Sequence, residues 1–430
     1  MNQYTVTPIF QNTFIQHKKV HVPGSKSITN RALLLSALSK GTSTLHNILI
    51  SDDSLVFIKA LEDLSFDISF SPDTKELSIT GKDDFSSPKD GVYVGSAGTA
   101  ARFLSVFLAF CKMPVTLHSS DQMKKRPMAP LIDALRFIGV TITCLEEEGH
   151  FPFSVQFQSQ LTNEVSINID ESSQFLSALL MSGILLEDGI TIHTTGTRLA
   201  RSYVDITTSM MSAFGVTVSR PDHDTYVVPS HMHYHALDYF IEPDFSSACY
   251  FFAMATILGE TIQVLNTHLD SIQGDAKFLS VLTSLGAMIE DRPDGICVTG
   301  PSLGQYPGVD VDLSDCSDQS LTLAAIAVFA TSPTTIRGIS HIRRQESDRI
   351  HAINENITRL GGYCEEFDDG ITIYPPASPL PCEIETYDDH RVAMSFALVG
   401  LRTKGITILD PLCCQKTFPD FFTILDELTT

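Results

Sequence analysis

Residues 22–38 of the 430-residue chain read VPGSKSITNRALLLSAL. A Pro-Gly turn delivers Ser25, Lys26 and Ser27, and Asn30 and Arg31 then lead into a run of Ala and Leu, so a helix begins here. The first turn of a helix has unpaired N–H groups and a partial positive charge. Lys26, Arg31 and the serine hydroxyls add to it, making a receptor for phosphate or carboxylate. The same residues also fit a capped core helix with two surface cations, and the segment alone does not choose between the two.

Repetition favours the anion site. After this helix comes a Gly or Pro and a short Thr-containing strand, and the same order returns five more times. The matching threonines are Thr44, Thr116, Thr191, Thr261, Thr335 and Thr407, separated by 72, 75, 70, 74 and 72 residues. Seventeen positions before each stand Ser27, Thr99, Gln174, Asp244, Asp318 and His390, all polar and each opening an apolar helix. Regular spacing of this kind marks one supersecondary unit used six times.

The elements that must position these residues are legible in outline. The helices starting near Ala101, Phe175, Ala248, Leu321 and Val392 are apolar on every side, which predicts complete burial. Val165–Ile169 and Ile371–Tyr374 alternate as strands do, and Leu131–Phe137 has the pattern of an amphipathic helix. The length suits two domains. The sixth unit is cut short, with 23 residues after Thr407, and the amino-terminal strand is expected to complete it. The chain then crosses twice, near His21–Pro23 and Phe240–Pro243. This gives one domain at 22–240 and a second at 1–21 plus 241–430, three repeats in each.

With 43% hydrophobic and 19% charged residues, the composition is that of a globular protein. No apolar run approaches the roughly 20 residues that span a bilayer, and the amino terminus lacks a basic leader with an apolar segment behind it. Nine cysteines without a C-x-x-C pair point to a reducing cytoplasm rather than a disulfide framework. The net charge of −22 opposes nucleic acid and anionic membrane as partners. Yet Lys26, Arg31, Arg102, Lys124, Lys125, Arg126, Arg343, Arg344, Arg349, Arg391 and Lys416 lie at or near the repeated segments, as a pocket for a small anion requires. GSKS lacks the upstream glycine and G-K order of a nucleotide-binding loop. His231, His233 and His235 would share a face of a strand, but no carboxylate accompanies them, and no metal or cofactor is expected. Asn356–Thr358 forms a glycosylation triplet without meaning in the cytosol.

The segments PGSKSITNRALLL, GSAGTAAR, KKRPM, ESSQFLSALLMS, IEPDFSSACYF, SDQSLTLA, RRQESDRI, TYDDHRVAMSF and CQKTFPDFF occur in that order over nearly the whole chain. Together they resemble the 5-enolpyruvylshikimate-3-phosphate (EPSP) synthase family. The resemblance implies a two-domain inverted α/β barrel of six βαβαββ repeats, three per domain. It also implies transfer of the enolpyruvyl group of phosphoenolpyruvate to the 5-hydroxyl of shikimate 3-phosphate, with both small molecules as partners, in a cytoplasmic monomer without a cofactor.

Carried over position by position, Ser27 and Arg31 match residues that hold the shikimate carboxylate, and Lys26 a lysine near both substrates. Ser172, Ser173 and Gln174 match the receiver of the shikimate phosphate, with Gln174 also bordering phosphoenolpyruvate and Tyr203 close by. Asp318 matches the acceptor of the 5-hydroxyl proton and Glu346 the carboxyl beside the methylene carbon. Gly98, Thr99, Arg126, Arg349, Arg391 and Lys416 match the phosphoenolpyruvate site, and Gln345 stands on the shikimate side where the family usually has Lys. Further departures are Ser96, Gln122, Ala200 and His341. Asp244 and Asp318 also fit helix N-caps; Asp244 is read as a cap and Asp318 as functional. Arg349 also fits a surface partner of Glu346 or Asp348, and its motif favours a ligand role. The alternatives are a UDP-N-acetylglucosamine enolpyruvyl transferase, whose different opening motif and loop cysteine are not apparent, an RNA 3'-phosphate cyclase, opposed by the acidity, and an inactive ligand-binding relative, opposed by Lys26, Asp318, Glu346 and Lys416.

Overall fold

The computed structural model describes residues 3–9, 18–82, 88–196 and 201–429, so Ala200 lies outside the described residues. The chain divides into two compact units, Gly24–Ile241 and Met1–Pro23 with Glu242–Thr430. At the first crossing a Cβ on Gly24 would stand 1.9 Å from the carbonyl oxygen of Asn47, so only glycine allows the chain to pass there.

Each repeat is built on one buried helix and one threonine strand. The helices are α1 (Lys26–Ala37), α2 (Gly98–Phe110), α3 (Gln174–Ser182), α4 (Phe245–Leu258), α5 (Ser320–Ala327) and α6 (His390–Gly400). The strands are β1 (Ser39–His46), β2 (Val115–His118), β3 (Ile190–Thr195), β4 (Thr261–Leu265), β5 (Thr334–Arg337) and β6 (Ile406–Leu409). Among the described residues there are six sheets, and in each the threonine strand lies between a parallel and an antiparallel neighbour. This position explains the repeated threonine. Across the antiparallel register Thr44 bonds Ser78, Thr261 bonds Thr299, Thr335 bonds Thr372 and Thr407 bonds Thr5, at 2.9–3.3 Å. Such pairs each contribute roughly 0.2–1 kcal/mol and help fix register.

Gln3–Thr5 pairs with β6 and completes the sixth repeat. The crossings also exchange strands. Lys18–Val20 precedes α1 yet pairs with β4, whereas Tyr234–His235 and Asp238–Phe240 precede α4 yet pair with β1. The fold is thus the two-domain α/β arrangement of six repeated units. Helices α2 to α6 are buried over most of their length, as their apolar sequences predict, and each large aliphatic or aromatic side chain so enclosed contributes about 1.5–3 kcal/mol.

With the helix bodies committed to the core, the polar first turns are the parts left for chemistry. Ser27, Thr99, Gln174 and His390 lie in the first turn of their helices, and Asp244 is the N-cap of α4, accepting from the Ser247 amide at 2.7 Å. Asp318 differs, because the chain enters α5 through an irregular 3-10 turn, Ser314–Gln319, kinked at Cys316. Two sequence alternatives resolve here. Only Tyr234–His235 of the alternating histidine run is strand, and His231 has φ 57°, so the three imidazoles do not line one strand face. Asn356 is buried, with its amide bonded to Ala352 and to both backbone groups of Glu385, so the glycosylation triplet is structural.

Candidate active site

In the unit Gly24–Ile241 the tips of α1, α2 and α3 are tied together by side chains. Lys26 opens α1 and pairs with Asp53 at 2.5 Å. Arg31, one turn further, is 1% exposed and donates to the carbonyl of Ser27 (2.9 Å), the carbonyl of Tyr203 (3.0 Å), Thr207 Oγ1 (2.7 Å) and Ser177 Oγ (3.3 Å). Its guanidinium lies over the Phe103 ring of α2 at 5.4 Å. Every acceptor it uses is neutral, so the charge is solvated by the protein without being cancelled. Burial pulls its pKa down to about 10, which leaves it protonated at neutral pH.

The tip of α2 is equally cationic. A Cβ on Gly98 would stand 2.6 Å from Arg126 Nη1 and 2.9 Å from Arg102 Nη1, so two guanidiniums approach this helix start and any side chain there would displace them. Gln174, first residue of α3, links the tips by accepting from Arg102 Nη1 at 2.7 Å and donating to Thr99 Oγ1 at 3.1 Å. Ser172 Oγ accepts from the Gln174 amide at 3.2 Å, and Ser172 and Ser173 are both buried. Three helix starts with Lys26, Arg31, Arg102 and Arg126 bring N–H dipoles and cations together, the chemistry an anion site requires.

In the other unit Arg349 is the organising group. It opens the helix Arg349–Arg359, is 1% exposed, and donates to Asp389 Oδ2 (2.8 Å), Asp318 Oδ1 (2.8 Å), Glu346 Oε2 (3.2 Å) and the side-chain oxygen of Gln345. Burial pushes its pKa down, but Asp389, Asp318 and Glu346 more than reverse that push and hold it above the ordinary value. Arg391 Nη2 meets Asp318 Oδ2 at 2.9 Å, and Lys416 Nζ meets Glu346 Oε1 at 3.4 Å. Asp389 caps α6 through the Arg391 amide, and the preceding Tyr387 and Asp388 both have positive φ, 56° and 54°. That conformation is costly for residues other than glycine, and here it delivers Asp389 and Arg391 to the cluster.

The structure therefore gathers the sequence-named residues into one cluster per unit. Lys26, Ser27, Arg31, Gly98, Thr99, Arg126, Ser172, Ser173, Gln174 and Tyr203 belong to Gly24–Ile241, and Asp318, Gln345, Glu346, Arg349, Arg391 and Lys416 to the other unit. Of the two readings of Arg349, the surface one is corrected by its burial. Asp318 is no cap: its carboxylate is taken by two arginines. Arg102 was named from sequence only as one of the cations near the repeats, and two further members, Asp53 and Asp275, not at all. Arg102 stands one turn beyond Gly98 on α2, a spacing that signals it. Asp53 pairs with Lys26, and Asp275 reaches Arg391 through Ser246; neither had a local signal.

The sequence profile described as EPSP synthase (3-phosphoshikimate 1-carboxyvinyltransferase) matches residues 13–425. The chain belongs to the EPSP synthase family. It is 42% identical over 406 residues to the 3-phosphoshikimate 1-carboxyvinyltransferase of Nostoc sp., covering 94% of this chain and 95% of that one. It is 40% identical over 414 residues to that of Photobacterium damsela subsp. piscicida, 96% of each. Among solved structures, an EPSP synthase from Acinetobacter baumannii superposes with TM-score 0.82 at 26% identity, covering 100% of this chain and 98% of that chain. The enolpyruvyl transferase NikO from Streptomyces tendae shares the fold, with TM-score 0.77 at 15% identity, covering 99% and 96%.

Within this family fold the departures have local partners. Ser96 Oγ is 2.7 Å from Ser120 Oγ, which caps the turn Asp121–Lys124 that leads to Arg126. His341 Nε2 is 2.8 Å from Ser317 Oγ, beside Asp318. Gln345 turns its oxygen to Arg349, a bond that a lysine at this position cannot accept, while Arg344 is exposed. Gln122 is half-buried. Among the described residues no helix is long and apolar enough to cross a membrane, and no group of His, Cys, Asp and Glu could hold a metal.

Proposed function

We propose that this chain transfers the enolpyruvyl group of phosphoenolpyruvate to the 5-hydroxyl of shikimate 3-phosphate, releasing phosphate. The observation that carries the reading is the family match over residues 13–425, and the chemistry of the two clusters supports it. Both substrates are polyanions, and the helix tips with Lys26, Arg31, Arg102 and Arg126 supply preorganised positive charge for them. Ser27 and Arg31 take the shikimate carboxylate, Ser172, Ser173, Gln174 and Tyr203 its phosphate side, and Gly98, Thr99, Arg126 and Gln174 the phosphoenolpyruvate. Lys26 adds charge to both.

The other unit supplies the proton chemistry. Asp318 accepts the proton of the 5-hydroxyl as its oxygen bonds to C2 of phosphoenolpyruvate. Glu346 delivers a proton to C3, and the C2–O bond to phosphate then breaks as C3 gives a proton back to Glu346 and the C2–C3 double bond re-forms. Arg349, Arg391 and Lys416 hold the phosphoenolpyruvate charges, and Gln345 borders the shikimate side. Nine free cysteines support a reducing compartment, the cytoplasm, and we assign a monomer. The test is phosphate release from phosphoenolpyruvate with each acceptor in turn. The expected result is release with shikimate 3-phosphate and none with UDP-N-acetylglucosamine; release with the nucleotide sugar, or with neither, overturns the reading.

A further inference from the structure

Behind Arg391 lies a carboxyl for which the reaction has no direct use. Asp275 sits in the 3-10 turn Gly274–Lys277 and is 7% exposed, too enclosed for a group that merely solvates a turn. One of its oxygens, Oδ2, accepts two hydrogen bonds, from the Ser246 hydroxyl and from Gln319 Nε2 at 3.2 Å. Each donor leads to the cluster. Ser246 has a single proton and gives it to Asp275, so its oxygen is left to accept from Arg391 Nη2 at 3.4 Å. Gln319 adjoins Asp318 in the chain and is completely buried, its own oxygen taken by Thr322. Tyr250, one turn beyond Ser246 on α4, is also buried near Arg391 and Arg349, whose charges oppose the upward push of burial on its phenol.

We propose that Asp275 is a positioning residue, directing Arg391 through Ser246 and fixing the place of Asp318 through Gln319. The inference rests on the proposed function, since it assigns Arg391 to phosphoenolpyruvate. Without an acceptor at Asp275, the Ser246 hydroxyl is free to turn its proton toward Arg391, and Nη2 loses the oxygen that supports it beside Asp318 Oδ2. An orienting group of this kind changes the binding of one substrate more than the fold. The groups facing Asp275 also give it a signature. Burial and the negative charges of Asp318 and Asp244 raise its pKa to about 6 against the opposing pull of Arg391 and the Ser246 bond. Between pH about 4 and 6 the folded protein therefore binds a proton that the unfolded chain has released. This aspartate lowers stability as pH rises through that window.

The test compares wild type with Asp275→Ala, Asp275→Asn and Ser246→Ala in the full-length chain. We expect Asp275→Ala and Ser246→Ala to raise KM for phosphoenolpyruvate by about 10- to 100-fold. KM for shikimate 3-phosphate should stay within about threefold, and the double variant Asp275→Ala/Ser246→Ala should be no worse than either single one, because both break the same link. Asn keeps an acceptor in the place of Oδ2, so Asp275→Asn should restore KM to within about threefold and also remove the fall in thermal stability between pH 4 and 6. The proposal is overturned if Asp275→Ala leaves both KM values unchanged, or if the two rise together in step with lost thermal stability. Should Asp275→Ala not fold, the Ser246→Ala variant decides by the same criteria. Wild-type turnover is the control: its absence counts against the proposed function, whereas its presence with an indifferent Asp275 counts against the positioning role.

Discussion

Arg31 and Arg349 are both 1% exposed, and each stands at the centre of its unit's cluster. Arg31 is wrapped in neutral oxygens from Ser27, Tyr203, Thr207 and Ser177, and burial pulls its pKa down to about 10. Arg349 is wrapped in the carboxylates of Asp389, Asp318 and Glu346, which hold its pKa above the ordinary value. A charge solvated by dipoles acts on what lies beyond it, whereas a charge among carboxylates also fixes them in place. One unit therefore keeps positive potential for an incoming anion, and the other uses its arginine to space carboxyl groups that can take and give protons. On the proposed function, the same repeat with its helix tips filled differently gives one unit that only receives anions and another that adds proton-handling carboxylates to its phosphoenolpyruvate cations Arg349, Arg391 and Lys416.

The largest expected effect comes from removing the enclosed cation. Arg349→Met leaves Asp318, Asp389 and Glu346 facing one another in a buried site, and should cost about 3–5 kcal/mol in urea unfolding followed by a probe in Glu242–Thr430. A loss under about 1 kcal/mol would mean that the carboxylates do not depend on it. Arg31→Lys keeps the charge but gives up the forked geometry that reaches Thr207, Ser177 and the Tyr203 carbonyl. It should cost about 1–3 kcal/mol, because fewer hydrogen bonds to a buried charge remain. An equal loss for the two variants would erase the contrast between the units. Gly98→Ala sharpens it further. The added methyl displaces Arg126 and Arg102 at the α2 tip, so KM for phosphoenolpyruvate should rise about tenfold. Thermal stability and KM for shikimate 3-phosphate should hardly move, and a stability loss in place of the KM change would assign Gly98 to packing alone.

Much of this was open to inspection in the chain itself. Six threonines about 72 residues apart expose the repeat because each occupies the same place, a strand between a parallel and an antiparallel neighbour, where all but Thr191, which faces Val227, stand opposite a hydroxyl such as Ser78 or Thr372. The all-round apolar helices leave only their first turns for chemistry, which is why Ser27, Thr99, Gln174 and His390 stand out. The exchange of strands at the crossings was hidden, since Lys18–Val20 and Asp238–Phe240 are short and nothing in three residues names a partner more than 190 positions away. Asp275 was hidden for a similar reason. Its role depends on Ser246 and Gln319, 29 and 44 residues distant, and a lone Asp after Gly reads as an ordinary turn. Arg349 was ambiguous because i,i+3 spacing to Glu346 fits an exposed helix face as well as a buried hub, and only tertiary packing tells them apart.

The division of labour between the units is tested most directly by steady-state kinetics of Asp318→Asn at saturating phosphoenolpyruvate and shikimate 3-phosphate. Asparagine keeps the shape and an acceptor for one arginine but takes up no proton. The expected result is a fall in kcat of about 10²- to 10⁴-fold with both KM values within about threefold. A kcat that holds while KM for either substrate climbs would make Asp318 a binding residue and contradict its proton role.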